Sequence, residues 1–332
     1  MNYMKMPITV NFELTYSCNA KCKFCSIKNN IQSNFVDITK IKDLIDIFDQ
    51  NEIIRLNLFG GEPFIYPQID EVVRYAKNKG MFISGVSNGI AIDETLCRKI
   101  NGYVDVLGIS VHGIGTEHDE FMGYKGCFSK ALNAIELLCS VNIPVGINIT
   151  VTALNYDKII EIVSFIKSKY NIQFVALNRF IANKSLPAEV NKSLAVTVDM
   201  LESTLVDLKH LKETYPDMNC EYAIHFPFCV IKDKELRKYI GAGCGIGQNY
   251  CSVNYNGDMK MCSYSDFILG NVFKEPMKRI RKNHSMLKLY RNEDWLPAEC
   301  RTCKEIYCKG GCKMAAGKLY SIDPLFKERV RI

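Results

Sequence analysis

The sequence predicts an α/β protein, a partial (β/α)6 barrel of the TIM type followed by a small cysteine-rich domain that carries a β-hairpin. Three observations predict it. Six short apolar runs alternate with helical patterns between Ile8 and Asn178, which is the signature of a parallel sheet with helical crossovers. The pattern then stops after roughly 180 residues, short of the roughly 250 that a full eight-unit barrel uses. Beyond residue 220 the composition turns loop-rich and cysteine-rich.

Strands are expected at 8–14, 53–59, 81–86, 104–111, 145–151 and 173–178, each bounded by polar or glycine-containing segments. Between them Ile38, Ile41, Leu44, Ile45 and Phe48 share one helical face. So do Ile69, Val72, Val73 and Ala76, then Leu132, Ile135, Leu138 and Cys139, and Ile159, Ile162, Val163 and Ile166. An amphipathic helix over 196–214, with Leu201, Leu205, Leu208 and Leu211 in near register, is expected to close the open side of the barrel. The domain division is set at 1–225 and 226–332. A hairpin turning at Asn256-Gly257 follows from the alternating run around it.

The chain has 332 residues, 42 basic against 36 acidic, for a net charge of +6. No long basic run stands out, so nucleic acid is not an expected partner. The start, Met-Asn-Tyr-Met-Lys-Met-Pro, has no signal-peptide core, and no stretch approaches the roughly eighteen apolar residues of a membrane span. A cytoplasmic protein is expected. Fifteen cysteines, an odd number gathered toward the two ends, point in a reducing compartment to metal ligation rather than disulfides.

Cys18, Cys22 and Cys25 place three soft ligands within eight residues, as C-x-x-x-C-x-x-C, directly after the first strand. A structural zinc site closes with four protein ligands, and an iron-sulfur cluster normally takes four thiolates. Three thiolates leave one metal position for a ligand from outside the chain. With Phe24 just before the last cysteine, the motif resembles that of the radical S-adenosylmethionine (radical SAM) enzymes. The resemblance implies a [4Fe-4S] cluster whose open iron binds S-adenosylmethionine, and a 5′-deoxyadenosyl radical that abstracts hydrogen from a substrate. It also implies an external electron donor such as flavodoxin or ferredoxin.

Active groups of such barrels sit at the carboxyl ends of the strands. Gly60-Gly61-Glu62-Pro63 ends the second strand and resembles the family's G-G-E-P motif, which holds the cofactor's amino group. Glycines admit a close ligand and Glu62 can accept from an ammonium. Ser87 and Asn88 after the third strand, Ser110 after the fourth, Asn148 on the fifth and Arg179 after the sixth are the further cofactor-lining candidates. His112 and Ser263 are the candidate catalytic residues, with a hydrogen-bonding or substrate-lining role the alternative for His112.

The carboxy-terminal cysteines form two groups, Cys244, Cys251 and Cys262, then Cys300, Cys303, Cys308 and Cys312. Seven soft ligands could make one zinc ribbon with spares. Their grouping resembles the SPASM extension of radical SAM enzymes, which holds two auxiliary [4Fe-4S] clusters. By that resemblance Cys244, Cys251, Cys262 and Cys312 ligate the first, and Cys300, Cys303 and Cys308 the second. Cys303 and Cys308 enclose four residues where the family has five, and the expected later cysteine is replaced by Asp323-Pro324-Leu325-Phe326. The fourth ligand is open between Asp323, water, substrate, Cys220 and Cys229, and one auxiliary cluster or a zinc ion is the alternative. Cys97, Cys127 and Cys139 read as small core residues.

The resemblance implies oxidation of a substrate, with a ribosomally made peptide as first choice. A dehydrogenase or epimerase of a sugar, aminocyclitol or other small molecule is the alternative, and a non-catalytic adaptor is a third class that leaves Gly60 to Pro63 without a role. Ser263 stands where the sulfatase-maturing type has an aspartate, which argues against that type. Seventeen residues precede Cys18, so no leader-binding domain is expected in front.

Overall fold

The computed structural model describes residues 6–27, 35–241, 243–305, 308–316 and 321–331. The first five residues, part of the segment read above as lacking a signal-peptide core, lie outside them.

Strands β1 (Thr9–Thr15), β2 (Arg55–Gly60), β3 (Phe82–Ser87), β4 (Val106–Ser110), β5 (Val145–Val151) and β6 (Phe174–Arg179) pair in parallel in that order. Between them run α1 (Ile38–Gln50), α2 (Ile69–Asn78), α3 (Glu94–Ile100), α4 (Thr116–Met122), α5 (Cys127–Ser140) and α6 (Ile159–Lys167). Each expected strand is present. The fourth is shorter than expected, and just before it the Asp105 carboxylate accepts from the Ile83 amide at 2.7 Å and pairs with Lys77.

Helix starts follow their caps. Asp37 accepts from the Thr39 amide at 2.8 Å before α1, and Asp93 from the Leu96 amide at 2.7 Å before α3. On β1 the apolar residues alternate: Val10, Phe12 and Leu14 are buried on one face, and the Phe12 ring meets Phe48 of α1 edge-on at 5.5 Å. That face carries the helix layer. Asn11 and Glu13 therefore point to the opposite face.

Two features extend the expected barrel. After α7 (Ala188–Leu194), α8 (Val198–Thr214), capped by Thr197, packs on α6 and leads into a seventh parallel strand, β7 (Asn219–Ile224), beside β6. The helix expected to close the barrel is thus a crossover that lengthens the sheet. The chain then passes to the other edge, where β8 (Tyr250–Asn254) pairs in parallel with β1. β9 (Asp258–Lys260) and β10 (Ile268–Asn271) follow antiparallel, with Gly257 at φ +83° in the expected turn. The hairpin joins the barrel in one sheet of ten strands among the described residues, since an unfinished barrel leaves the β1 edge available for pairing. The division set at residue 225 falls just after β7.

Helices α9 (Met277–Asn283), α10 (Ser285–Asn292) and α11 (Ala298–Arg301) and short 3-10 turns complete the cysteine-rich part. No helix among the described residues is long and apolar enough to cross a membrane.

Candidate functional site

The carboxyl ends of β1, β2 and β3 carry three loops that are tied together. The cysteine loop leaves β1 and is held on the α4 side, where Lys21 and Lys23 donate their amides to the Met122 and Phe121 carbonyls, each at 2.9 Å. The Gly60-Gly61 corner passes directly beneath it. A Cβ at Gly60 would stand 2.3 Å from the Thr15 carbonyl oxygen, and one at Gly61 would stand 2.1 Å from that of Ser17, so only glycine fits either place. Glu62 follows, 2 % exposed. Its carboxylate accepts from the Ser87 hydroxyl at 2.8 Å, the Asn88 amide at 2.7 Å and the Phe64 amide at 3.1 Å. The Asn88 side chain reaches back to Asn19 at 2.7 Å and to the Cys18 sulfur at 3.9 Å.

Burial sets the electrostatics here. It pushes the Cys18 thiol up to about 11, helped by the nearby Glu62 and Cys25, and raises Cys22 well above the ordinary thiol, with Cys25 and Cys18 adding to it. The three thiols thus act on one another. Glu62 is raised to about 7 by burial, against the pull of its three hydrogen bonds. Among the described residues no cationic side chain pairs with it.

His112 lies beneath the cysteine loop with Phe24 edge-on at 4.8 Å. Its Nδ1 accepts from the Thr150 amide at 3.1 Å, and its own amide donates to His118 at 3.0 Å. Burial, then His118, lowers it well below the usual histidine range, so the ring is neutral. Ser110 stands opposite Asn148 in the β4–β5 register, and Asn148 is buried. Arg179 is elsewhere engaged: it makes a two-pronged, buried ion pair with Asp323, Nη1 to Oδ1 at 3.3 Å and Nη2 to Oδ2.

One constellation was not singled out from sequence. Lys260, Ser252, Asn11, Asn57 and Ser84 lie in one row across β9, β8, β1, β2 and β3. Asn57 bonds Asn11 at 3.1 Å and Ser84 bonds Asn57 at 3.2 Å. Buried Glu13 accepts from Ser252 at 2.6 Å and from Lys260 at 2.7 Å. Ser263 is anchored to this row through Ser252 at 3.2 Å. The signal was the alternation in Val10-Asn11-Phe12-Glu13-Leu14, whose polar members face the inside of the sheet.

Of the carboxy-terminal thiols, Cys244, Cys262 and Cys312 lie within electrostatic range of one another. Burial raises Cys244 to about 12, with Cys312 and Cys262 contributing, and Cys262 to about 11, with Cys312 contributing. Cys251 does not join them. It faces the core and senses Arg281 alone among charged groups, because neighbours on a strand face opposite ways and Tyr250 takes the Cys262 side, its hydroxyl bonded to that sulfur. The Tyr264 phenol senses Cys262, Cys312 and Cys25 and so stands between the two ends of the chain. Cys300 is pushed up to about 11 by burial, then by Cys308, Cys229 and Cys303.

Lys313 lies between these groups, fully buried, its Nζ without a hydrogen-bond partner and 4.8 Å from the Trp295 ring centroid. Burial lowers its pKa, against the opposing pull of Cys244, Cys308, Cys312 and Cys300. A buried ammonium is costly without an anion, which neutral thiols do not supply and metal-bound thiolates do. Glu62 presents the converse need, a buried carboxylate without a cation. The donor sets therefore fit thiolate-bound clusters and a cationic ligand. None of the fifteen cysteines is in a disulfide. Among the described residues no three His, Cys, Asp or Glu side chains gather closely enough to ring a single metal ion.

Two family models match, the Radical SAM superfamily over residues 12–166 and the SPASM iron-sulfur cluster-binding domain over 244–304. Among curated proteins the chain is 25 % identical to an AdoMet-dependent heme synthase of Methanosarcina barkeri, covering 93 % of this chain and 92 % of that protein. It is 23 % identical to the antilisterial bacteriocin subtilosin biosynthesis protein AlbA of Bacillus subtilis, covering 94 % and 68 %. Among solved structures, Streptococcus suis SuiB bound to S-adenosylmethionine superposes with a TM-score of 0.79 at 16 % identity, over 97 % of this chain and 77 % of that one.

Proposed function

Because this chain is a radical SAM enzyme with a SPASM domain, we propose that it oxidatively matures a ribosomally made peptide. Bound to their sites, the [4Fe-4S] cluster and S-adenosylmethionine supply a 5′-deoxyadenosyl radical for hydrogen abstraction. In this reading Cys18, Cys22 and Cys25 hold the cluster and leave one iron open. Gly60, Gly61, Glu62 and Pro63 receive the amino group of the cofactor, with Ser87 and Asn88 fixing the Glu62 carboxylate. Ser110 and Asn148 line the remainder.

The observation that carries the assignment is Glu62, a buried carboxylate with three backbone or hydroxyl donors and no cation, beside three thiols that sense one another. An ammonium group would satisfy it at that place. His112, neutral and with Nδ1 committed, serves in this reading to seat Phe24 and the cysteine loop rather than to move a proton. Arg179 serves to anchor the cysteine-rich part through Asp323 instead of touching the cofactor. In this reading residues 1–225 would hold the radical cofactor and 226–332 the auxiliary clusters, with a ferredoxin or flavodoxin of a reducing cytoplasm as the external electron donor.

The peptide reading is supported by the likeness to the subtilosin biosynthesis protein and to SuiB, also solved with its precursor peptide SuiA. A small-molecule substrate is the second reading, favoured by the heme synthase match over nearly the full length of both chains. The test is anaerobic reconstitution with S-adenosylmethionine and dithionite, first alone and then with a peptide encoded by an adjacent short reading frame. Loss of two hydrogens from the peptide by mass spectrometry is the expected result. Turnover of a tetrapyrrole or a sugar with no change in the peptide would overturn it.

A further inference from the structure

We propose that Cys229 supplies the fourth thiolate of the second auxiliary cluster, completing the set of Cys300, Cys303 and Cys308. The inference rests on the reading of that site as a cluster site. Three thiolates from 300 to 308 leave a four-iron cluster one ligand short. Asp323 stands where a later cysteine would be sought, and its carboxylate is fully used. Oδ1 accepts from Arg179 at 3.3 Å and from the Leu325 amide at 3.1 Å, and Oδ2 from Arg179 and from the Cys312 amide at 3.0 Å. Turning that carboxylate to a metal would strand a buried guanidinium.

Cys229 approaches from the barrel side. It sits in the short turn Phe228–Val230 just beyond β7, and the amide of Phe228 donates to the Cys308 sulfur at 3.4 Å. The turn therefore lies against the site, and the Cys229 thiol is within electrostatic range of Cys300 together with Cys308 and Cys303. The surroundings suit thiolates. Besides the Phe228 amide, the Glu305 amide donates to the Cys303 sulfur at 3.4 Å, and hydrogen bonds of this kind favour the charged sulfur. Lys313, buried and without a hydrogen-bond partner, lies between this group and the other thiols. Ligation releases the Cys229 proton as the sulfur binds iron.

Cys220 is the comparison thiol. It lies in β7, donates toward the Met218 carbonyl oxygen at 3.8 Å, and senses Lys212 rather than the cysteines. A ligand from residue 229 also explains how the chain manages without a cysteine near 323. The fourth thiolate comes from upstream of the other three.

The test uses the full chain, reconstituted anaerobically, in four forms: parent, Cys229→Ala, Cys220→Ala and Cys300→Ala. Iron and zinc per chain and the EPR and Mössbauer spectra are the readouts, with 5′-deoxyadenosine formation reporting that the first site is intact. Cys229→Ala should lose about four irons per chain or convert one cluster to a three-iron form, as Cys300→Ala does, while Cys220→Ala matches the parent. Iron lost by Cys300→Ala but fully retained by Cys229→Ala, with unchanged spectra, overturns the assignment of Cys229 alone. Full iron and unchanged spectra in both variants, or zinc in place of iron, overturn the cluster reading of the site as well.

Discussion

The amino-terminal site takes its three thiols from the eight residues between Cys18 and Cys25, while the carboxy-terminal thiols come from stretches spread between Cys229 and Cys312. The first has its ligands on one loop, which is fastened to the glycine corner after β2 and to the end of α4. The second depends on the packing of several elements and on a buried ion pair between β6 and the chain near its end. The first ligand set is thus close in the chain before folding, whereas the second comes together only once the fold is complete.

The sharpest way to break this comparison is at the two sites themselves. Cys22→Ala should abolish S-adenosylmethionine cleavage and remove about four irons per chain, whereas Cys303→Ala should retain part of the cleavage. Assay of 5′-deoxyadenosine in both variants is the check, and equal cleavage by the parent and Cys22→Ala would contradict the placement of the radical cofactor. Next comes the tether. Arg179→Ala or Asp323→Ala leaves a buried charge unpaired and should cost about 3–5 kcal/mol, read as a lower denaturant midpoint. A double Arg179→Met, Asp323→Leu variant should recover much of that loss. Unchanged midpoints in the single variants would show that the cysteine-rich part is held by other contacts.

The same contrast explains what the sequence could and could not reveal. The six parallel strands were legible because apolar runs such as Val145–Val151 are buried on both faces, and the cysteine loop because its ligands are close in sequence. Strand β7 was not, since Asn219–Ile224 is short, has Tyr222 as its one fully buried member and owes its place to the β6 edge. Nor was the pairing of β8 with β1, which joins residues some 240 apart and carries no local signal. Arg179 resembled a ligand-binding arginine because nothing local shows its partner, Asp323, 144 residues away. The row from Lys260 to Ser84 was hidden for the same reason, each strand offering only one of its members.

A smaller effect sharpens the picture of the amino-terminal site. The folded, cofactor-free chain holds the Glu62 proton up to about pH 7, against 4.5 for an ordinary glutamate, so the folded state binds more protons than the unfolded between those values. Stability from this group is therefore full below about 4.5 and is lost as the pH rises through 7, on the order of 3 kcal/mol in all. Glu62→Gln should flatten that part of the stability profile. Cofactor binding runs the other way, because the ammonium wants the ionised carboxylate. Affinity should fall as the pH drops below 7, and Glu62→Gln should weaken it by about 10- to 100-fold at neutral pH. Calorimetric titration across pH 6 to 8 measures both, and a flat profile in the parent would remove Glu62 from the ligand site.

The smallest expected effect concerns Cys251, and it separates spacing from geometry. By its position in the cysteine pattern it belongs with Cys244, Cys262 and Cys312, yet in β8 its side chain enters the core while Tyr250 faces Cys262. If the strand holds, Cys251→Ala removes one buried sulfur from the core and should cost about 1 kcal/mol with the iron content unchanged. Cys262→Ala should lose iron from that site. Equal iron loss in both would mean that the cluster draws Cys251 across, which a strand permits only by slipping one residue or forming a bulge. Such a slip would break the pairing of Val10 with Cys251 and of Phe12 with Val253, and hydrogen exchange at the amides of β1 and β8, with and without iron, would reveal it.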